Sequence, residues 1–136
     1  MFAAVQDLAV VHLDEYSDER GCLVPLEVSA RFNFVTKRLF YVRGVPAGTV
    51  RGHHAHARCS QILICQSGSI ALEMFDGKSE RSVRLGKNDA IFIPIGIFAS
   101  ERYEVPETTL LVLCDRPFEP EEFIRTREDL IAFRAG

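Results

Sequence analysis

"GTVRGHHAHARCSQILICQSG", residues 48–68, holds three of the four histidines in this 136-residue chain. In an extended strand alternate side chains share a face. His54 and His56 therefore project together, and His53 points away from them. The run "ILIC" that follows is continuously apolar, the pattern of a strand covered on both faces. The stretch reads as two strands, the first presenting a pair of imidazoles.

Segments of the same kind recur on both sides. "LAVVHL", "CLVPLEV" and "RLFYV" precede the stretch. "SIALEMF" and "ERSVRL" follow it, joined through Asp76-Gly77, a strong hairpin signal. "AIFIPIGIFAS" and "TTLLVLC" come next. In residues 69–75, Ile70, Leu72 and Met74 fall on one face, with Ala71 and Glu73 on the other. Only "RTREDLIAF" reads as helix, with Thr126 placed to cap and Asp129 three residues later. Many short strands at regular spacing indicate an all-β sandwich or barrel closed by a short C-terminal helix. No repeat, low-complexity linker or composition shift divides the chain, so residues 1–136 are expected to form a single domain.

Apolar residues make up 47% and charged residues 26%, a globular balance. The net charge of -3 and the lack of a basic run argue against nucleic acid as a partner. No apolar run reaches transmembrane length. The N-terminus has no basic n-region and meets Asp7 and Asp14 early, unlike a signal peptide. No membrane association and a cytoplasmic location are expected. Cys22, Cys59, Cys65 and Cys114 are scattered with no CxxC pair, which argues against a zinc knuckle or a disulfide framework. Buried thiols are expected.

Gly48, His54, His56 and Gly68 fit the spacing of the first cupin motif, G-x5-H-x-H-x4-E-x6-G, with Gln61 at the glutamate position. "PIGIFA" resembles the second motif, P-x-G-x2-H, with Ala99 at the histidine. A typical cupin metal site takes three histidines and a carboxylate. Two imidazoles and an amide are a poor set for a catalytic metal, so no metal is expected.

A closer resemblance is to the WxcM-like cupins, the sugar 3,4-ketoisomerases that act on dTDP-4-keto-6-deoxyglucose. "RGHHAHA" resembles their R-G-x-H-A-H signature. "DERGCLVPLE", "KRLFYV", "QILICQSGSIALEMFDG" and "EEFIRTREDLIAF" resemble four further segments. The likeness runs from about residue 7 to about residue 134. It departs at Phe98-Ala99, where the family usually has Trp-His.

The resemblance implies a jelly-roll β-barrel and a proton-shuttling isomerase without metal or cofactor. Its substrate would be a nucleotide-linked 4-keto sugar, used to make unusual deoxysugars for surface polysaccharide or glycoconjugates. Histidine suits such chemistry because its ordinary pKa lies near neutrality. By resemblance His56 is the acid/base at carbon and His54 its oxygen-side partner. Arg51 and Arg38 are the pyrophosphate ligands, and Tyr41 is a ring contact or relay hydroxyl. Arg125 is read as structural, His53 as outward-facing, and His12 as without a role. A homodimer with exchanged N-terminal strands is also implied. Two alternatives remain open: a dTDP-sugar 3,5-epimerase-like enzyme on the same scaffold, and a non-catalytic cupin that binds a sugar nucleotide. Ala99 keeps the second one open.

Overall fold

The computed structural model describes residues 2–136. The short N-terminal strand β1 (Val10–His12) leads into a hairpin, β2 (Tyr16–Asp18) and β3 (Gly21–Leu23). A short helix α1 (Val28–Phe32) precedes β4 (Arg38–Val42), β5 (Val50–His56) and β6 (Gln61–Ser67). Next come β7 (Ile70–Phe75), β8 (Glu80–Leu85), β9 (Asp89–Ile93), β10 (Phe98–Tyr103) and β11 (Thr109–Cys114). The two-residue strand β12 (Phe123–Ile124) and helix α2 (Arg127–Ala135) end the chain.

Two five-stranded antiparallel sheets face each other, in the orders β1-β9-β6-β11-β4 and β12-β5-β10-β7-β8. Crossing between sheets at nearly every connection makes this a jelly roll, as the strand pattern implies. Ile70, Leu72 and Met74 of β7 point inward and are almost wholly buried. They pair with Tyr103, Glu101 and Ala99 of β10, so those three side chains point inward as well. The hairpin forms at Asp76-Gly77 as expected. Asp76 Oδ1 accepts from Lys78 N at 2.9 Å and Ser79 N at 2.8 Å, while Oδ2 accepts from Val5 N at 2.8 Å. Thr126 caps α2 by accepting from Asp129 N at 3.1 Å.

Three sequence expectations change. "CLVPLEV" is not a strand throughout: β3 stops at Leu23, Pro25 cannot donate to a ladder, and α1 begins at Val28. α1 and its flanks bring Phe32, Phe34 and Val28 over Ile62, Leu113 and Phe92, covering the outer face of the β6 sheet. That cover is why "ILIC" has no polar face. "AIFIPIGIFAS" is two strands, β9 and β10, because the chain turns at Gly96 with φ +77°, a conformation open to glycine. Of the four cysteines, Cys22 is exposed on β3, and the other three are buried.

β5 departs from a plain strand at the point that decides function. Ala99 pairs with His54 and Ser100 with Gly52, so His53 is the extra residue of a β-bulge. Gly52 has φ +81° and His53 φ +60°. In a regular pleat Arg51 and His54, three residues apart, would lie on opposite faces. The bulge returns Arg51 to the face that carries His54 and His56. His53 turns outward, as expected, and packs edge-on to Phe98 at 5.0 Å.

Candidate active site

A cavity of about 310 Å³ lies between the two sheets. β5 contributes Arg51, His54 and His56 to its wall, β10 contributes Glu101 and Tyr103, and β4 contributes Arg38. Gln61, Phe118 and Phe123 also line it. The alternation that pairs His54 with His56 thus holds in the fold, and both arginines reach the same space.

Tyr41 does not. On β4 the residues Arg38, Phe40 and Val42 turn inward, while Leu39 and Tyr41 turn outward with Tyr41 57% exposed. This corrects the expectation of a cavity contact, because position 41 has the wrong strand parity relative to Arg38. Phe40 supplies the aromatic ring inside. Ala99 is buried in the main core and brings no functional group to the cavity wall. His12 pairs with Asp89 at 2.8 Å, away from the site.

The two imidazoles form a chain. His54 Nδ1 lies 3.0 Å from the Gly52 carbonyl oxygen, and the two Nε2 atoms are 3.1 Å apart. His56 Nδ1 meets the carboxylate of Glu122, which also accepts from Arg58 N at 2.8 Å and Cys59 N at 3.2 Å. Burial alone would raise the pKa of Glu122. The bonds from His56 and from these two amides outweigh it and hold the carboxyl below its usual range.

These contacts fix the protons. A carbonyl oxygen only accepts, so His54 Nδ1 carries a hydrogen. An ionised carboxylate only accepts, so His56 Nδ1 carries one too. The Nε2 contact needs a third proton between two nitrogens that would otherwise face each other with lone pairs. Burial lowers the pKa of His54. The Gly52 carbonyl opposes this, and the charges of His56 and Arg125 reinforce it. His54 is thus kept neutral, and Glu122 orients the His56 ring from behind. His54 is half-buried and His56 only 7% exposed, so His54 is the member that faces the cavity. Phe123 lies against both rings at 4.6 Å and anchors the pair, because β12 is hydrogen-bonded to β5 with Phe123 opposite His56.

Arg38 is held between the rings of Phe40 and Phe118, at 5.0 and 5.2 Å from their centroids. One of its terminal nitrogens donates to Cys114 Sγ at 3.6 Å, and Gln61 Nε2 donates to the same sulfur at 3.5 Å. The hydrogen bond from Cys59, aided by Arg38 and Gln61, holds the Cys114 thiol below its usual range. Arg38 Nε is buried with no partner. A buried guanidinium N–H without an acceptor marks a position where an anion would bind.

The donors do not suit a metal. The Nε2 atoms face each other, the Gln61 amide is turned to Cys114, and Glu122 lies behind His56. Among the described residues no group of three histidine, cysteine or acidic side chains converges on one point.

The sequence did not single out Glu122, Phe123, Phe118 or Glu101. Glu122 sits directly before the "FIR" ending, but its partner His56 is 66 residues away. Arg125 lies over Phe123 at 5.0 Å. Its charge adds to the lowering of the His54 pKa.

An imidazole pair and two arginines inside a jelly-roll barrel define a cupin suited to acid/base chemistry on an anionic ligand. The chain belongs to the FdtA family (WxcM-like, C-terminal), whose model matches residues 6–135. A TDP-4-oxo-6-deoxy-alpha-D-glucose-3,4-oxoisomerase from Aneurinibacillus thermoaerophilus is 25% identical over 118 residues, 85% of this chain and 84% of that one. The crystal structure of a 3,4-ketoisomerase from Helicobacter canadensis is 28% identical, covering 96% of this chain and 98% of that one with a TM-score of 0.88. A TDP-quinovose 3,4-ketoisomerase from Campylobacter jejuni is 26% identical, covering 94% and 99%, with a TM-score of 0.86. Among the described residues no helix is long and apolar enough to cross a membrane.

Proposed function

We infer that this protein is a sugar 3,4-ketoisomerase that moves the carbonyl of a TDP-linked 4-keto-6-deoxyhexose from C4 to C3. The observation that carries the reading is the Glu122–His56–His54 chain inside the arginine-lined cavity. The named relatives supply the substrate class. The epimerase-like alternative is less well supported, because these relatives are ketoisomerases.

The reaction needs a base for the C3 proton, which the neighbouring ketone makes acidic. It then needs an acid to protonate C4, with a hydroxyl proton moved between the oxygens. His54 is neutral and faces the cavity, so its Nε2, turned from His56 toward the substrate, takes the carbon-bound proton. His56 lies behind it at the Nε2 contact, while Glu122 fixes its tautomer. This reverses the order expected from the sequence. The reason is burial: His56 is almost wholly enclosed, and His54 is the more accessible of the two. Arg38 and Arg51 bind the pyrophosphate, Arg38 using its unpaired N–H.

The product sugar would serve surface polysaccharide or glycoconjugate synthesis in the cytoplasm. The enzyme would act as a homodimer. Exposed Tyr16 and Leu23 on the β2–β3 hairpin, and exposed Leu39 and Tyr41 on edge strand β4, support a second copy.

The test is incubation with dTDP-4-keto-6-deoxyglucose in deuterium oxide, followed by NMR. The parent should exchange the C3 proton and form the 3-keto sugar. His54→Asn should lose both by about 10²–10⁴, the usual effect of removing a positioned acid/base group, while still binding dTDP. A parent that binds dTDP yet never exchanges C3 would make the protein a non-catalytic binder. His54→Asn turnover at the parent rate would remove the base assignment.

A further inference from the structure

Glu101 is an acidic residue on the inward face of a barrel strand. It alternates with Ala99 and Tyr103 on β10, opposite Leu72 of β7, where apolar residues otherwise stand. Its other cross-strand partner is Arg51. Its carboxyl rests on Gly52, in the space that a Cβ there would fill. That same glycine's carbonyl orients His54. The carboxyl shares its cavity with Arg51, His54 and His56 of β5, with Arg38 of β4 across from it, and with Tyr103 on its own strand.

We propose that Glu101 is a further catalytic residue of the ketoisomerisation, handling the proton that moves between the two sugar oxygens. This rests on the ketoisomerase reading above.

As His54 removes the C3 proton, the C–H electrons form the C3–C4 double bond and the carbonyl electrons move onto O4. The Glu101 O–H donates its proton to O4, giving the enediol. As C4 is protonated, the O3–H electrons form the new carbonyl, and the Glu101 carboxylate takes that proton back. The residue ends as it began, and no other reactant is needed. His54 is engaged with the carbon-bound proton, and His56 lies buried behind it with Nδ1 on Glu122, so the oxygens call for another group.

The chemistry needs a carboxyl that is neutral at rest. Burial raises the Glu101 pKa to about 8, and the Arg51 charge only partly opposes this. A neutral acid in a dry site can donate where negative charge develops.

Glu101→Gln keeps the size and an N–H donor but cannot give up and regain a proton. It should fold, bind dTDP with parent affinity, and still exchange C3 in deuterium oxide. Formation of the 3-keto product should fall by roughly 10²-fold or more. In the parent, kcat/KM should decline as pH rises through about 8, as the acid ionises. That limb should be missing from the residual activity of Glu101→Gln. Parent-rate turnover by Glu101→Gln would overturn the proposal, as would loss of C3 exchange together with turnover. A parent without C3 exchange would instead sink the ketoisomerase reading itself.

Discussion

Replacing Glu122 by Gln tests the proton arrangement directly. The carboxylate accepts two backbone amides and the His56 Nδ1–H. A Gln Oε1 can still serve Arg58 N and Cys59 N. Its amide nitrogen then faces His56 Nδ1, and two donors cannot meet. His56 must turn Nδ1 into an acceptor and keep its hydrogen on Nε2. One charge-assisted hydrogen bond, worth about 1.5–3 kcal/mol, is replaced by a neutral one. Net destabilisation should be about 1 kcal/mol, a fall of roughly 3–4 °C in Tm for a chain of this size. The rate effect should be larger. Giving a catalytic histidine the wrong tautomer by this carboxylate-to-amide change costs about 10⁴ in a serine protease, and a loss of about 10²–10⁴ in turnover is expected here. ¹⁵N NMR of the imidazoles reads the tautomer, and product NMR reads the rate. A variant with parent imidazole shifts and parent turnover would refute the relay.

Arg38→Gln and Arg51→Gln should each weaken dTDP binding by about 1.5–3 kcal/mol, the range for hydrogen bonds to charged groups. Calorimetry with dTDP alone decides this, and unchanged affinity in both would place the anion elsewhere. Light scattering should give a mass near twice the 15.3 kDa chain. Leu39→Glu, a charge on the outer face of β4, should shift the protein toward monomer. A monomeric parent would remove the dimer.

The strands were legible because their alternation and turn residues agree, with Asp76-Gly77 the plainest case. α1 was hidden because five residues inside an apolar run carry too little helical period to compete with a strand reading. The His54–His56 pair was visible as a period of two. Glu122 was not, since its link to His56 exists only once β12 lies on β5. Tyr41 was misplaced because a one-residue difference along β4 decides inside from outside, and the strand's phase was unknown. Glu101 left a faint trace: in "ASERYE" it shares a parity with Ala99 and Tyr103, an acid in the register of a buried face.

The bulge in β5 means that this strand is counted twice. The histidines are read in one frame and the arginine in another, with His53 as the frame shift. Dropping His53 would restore even spacing and leave Arg51 beside the imidazoles. A plain pleat through all seven residues would instead expel the unaltered arginine to the outside. The composition of this site is thus held by a parity rule rather than by the identity of every residue in it. Any side chain at Gly52 would meet the Glu101 carboxyl and strain a backbone at φ +81°, so the shift of frame is guarded from inside the cavity.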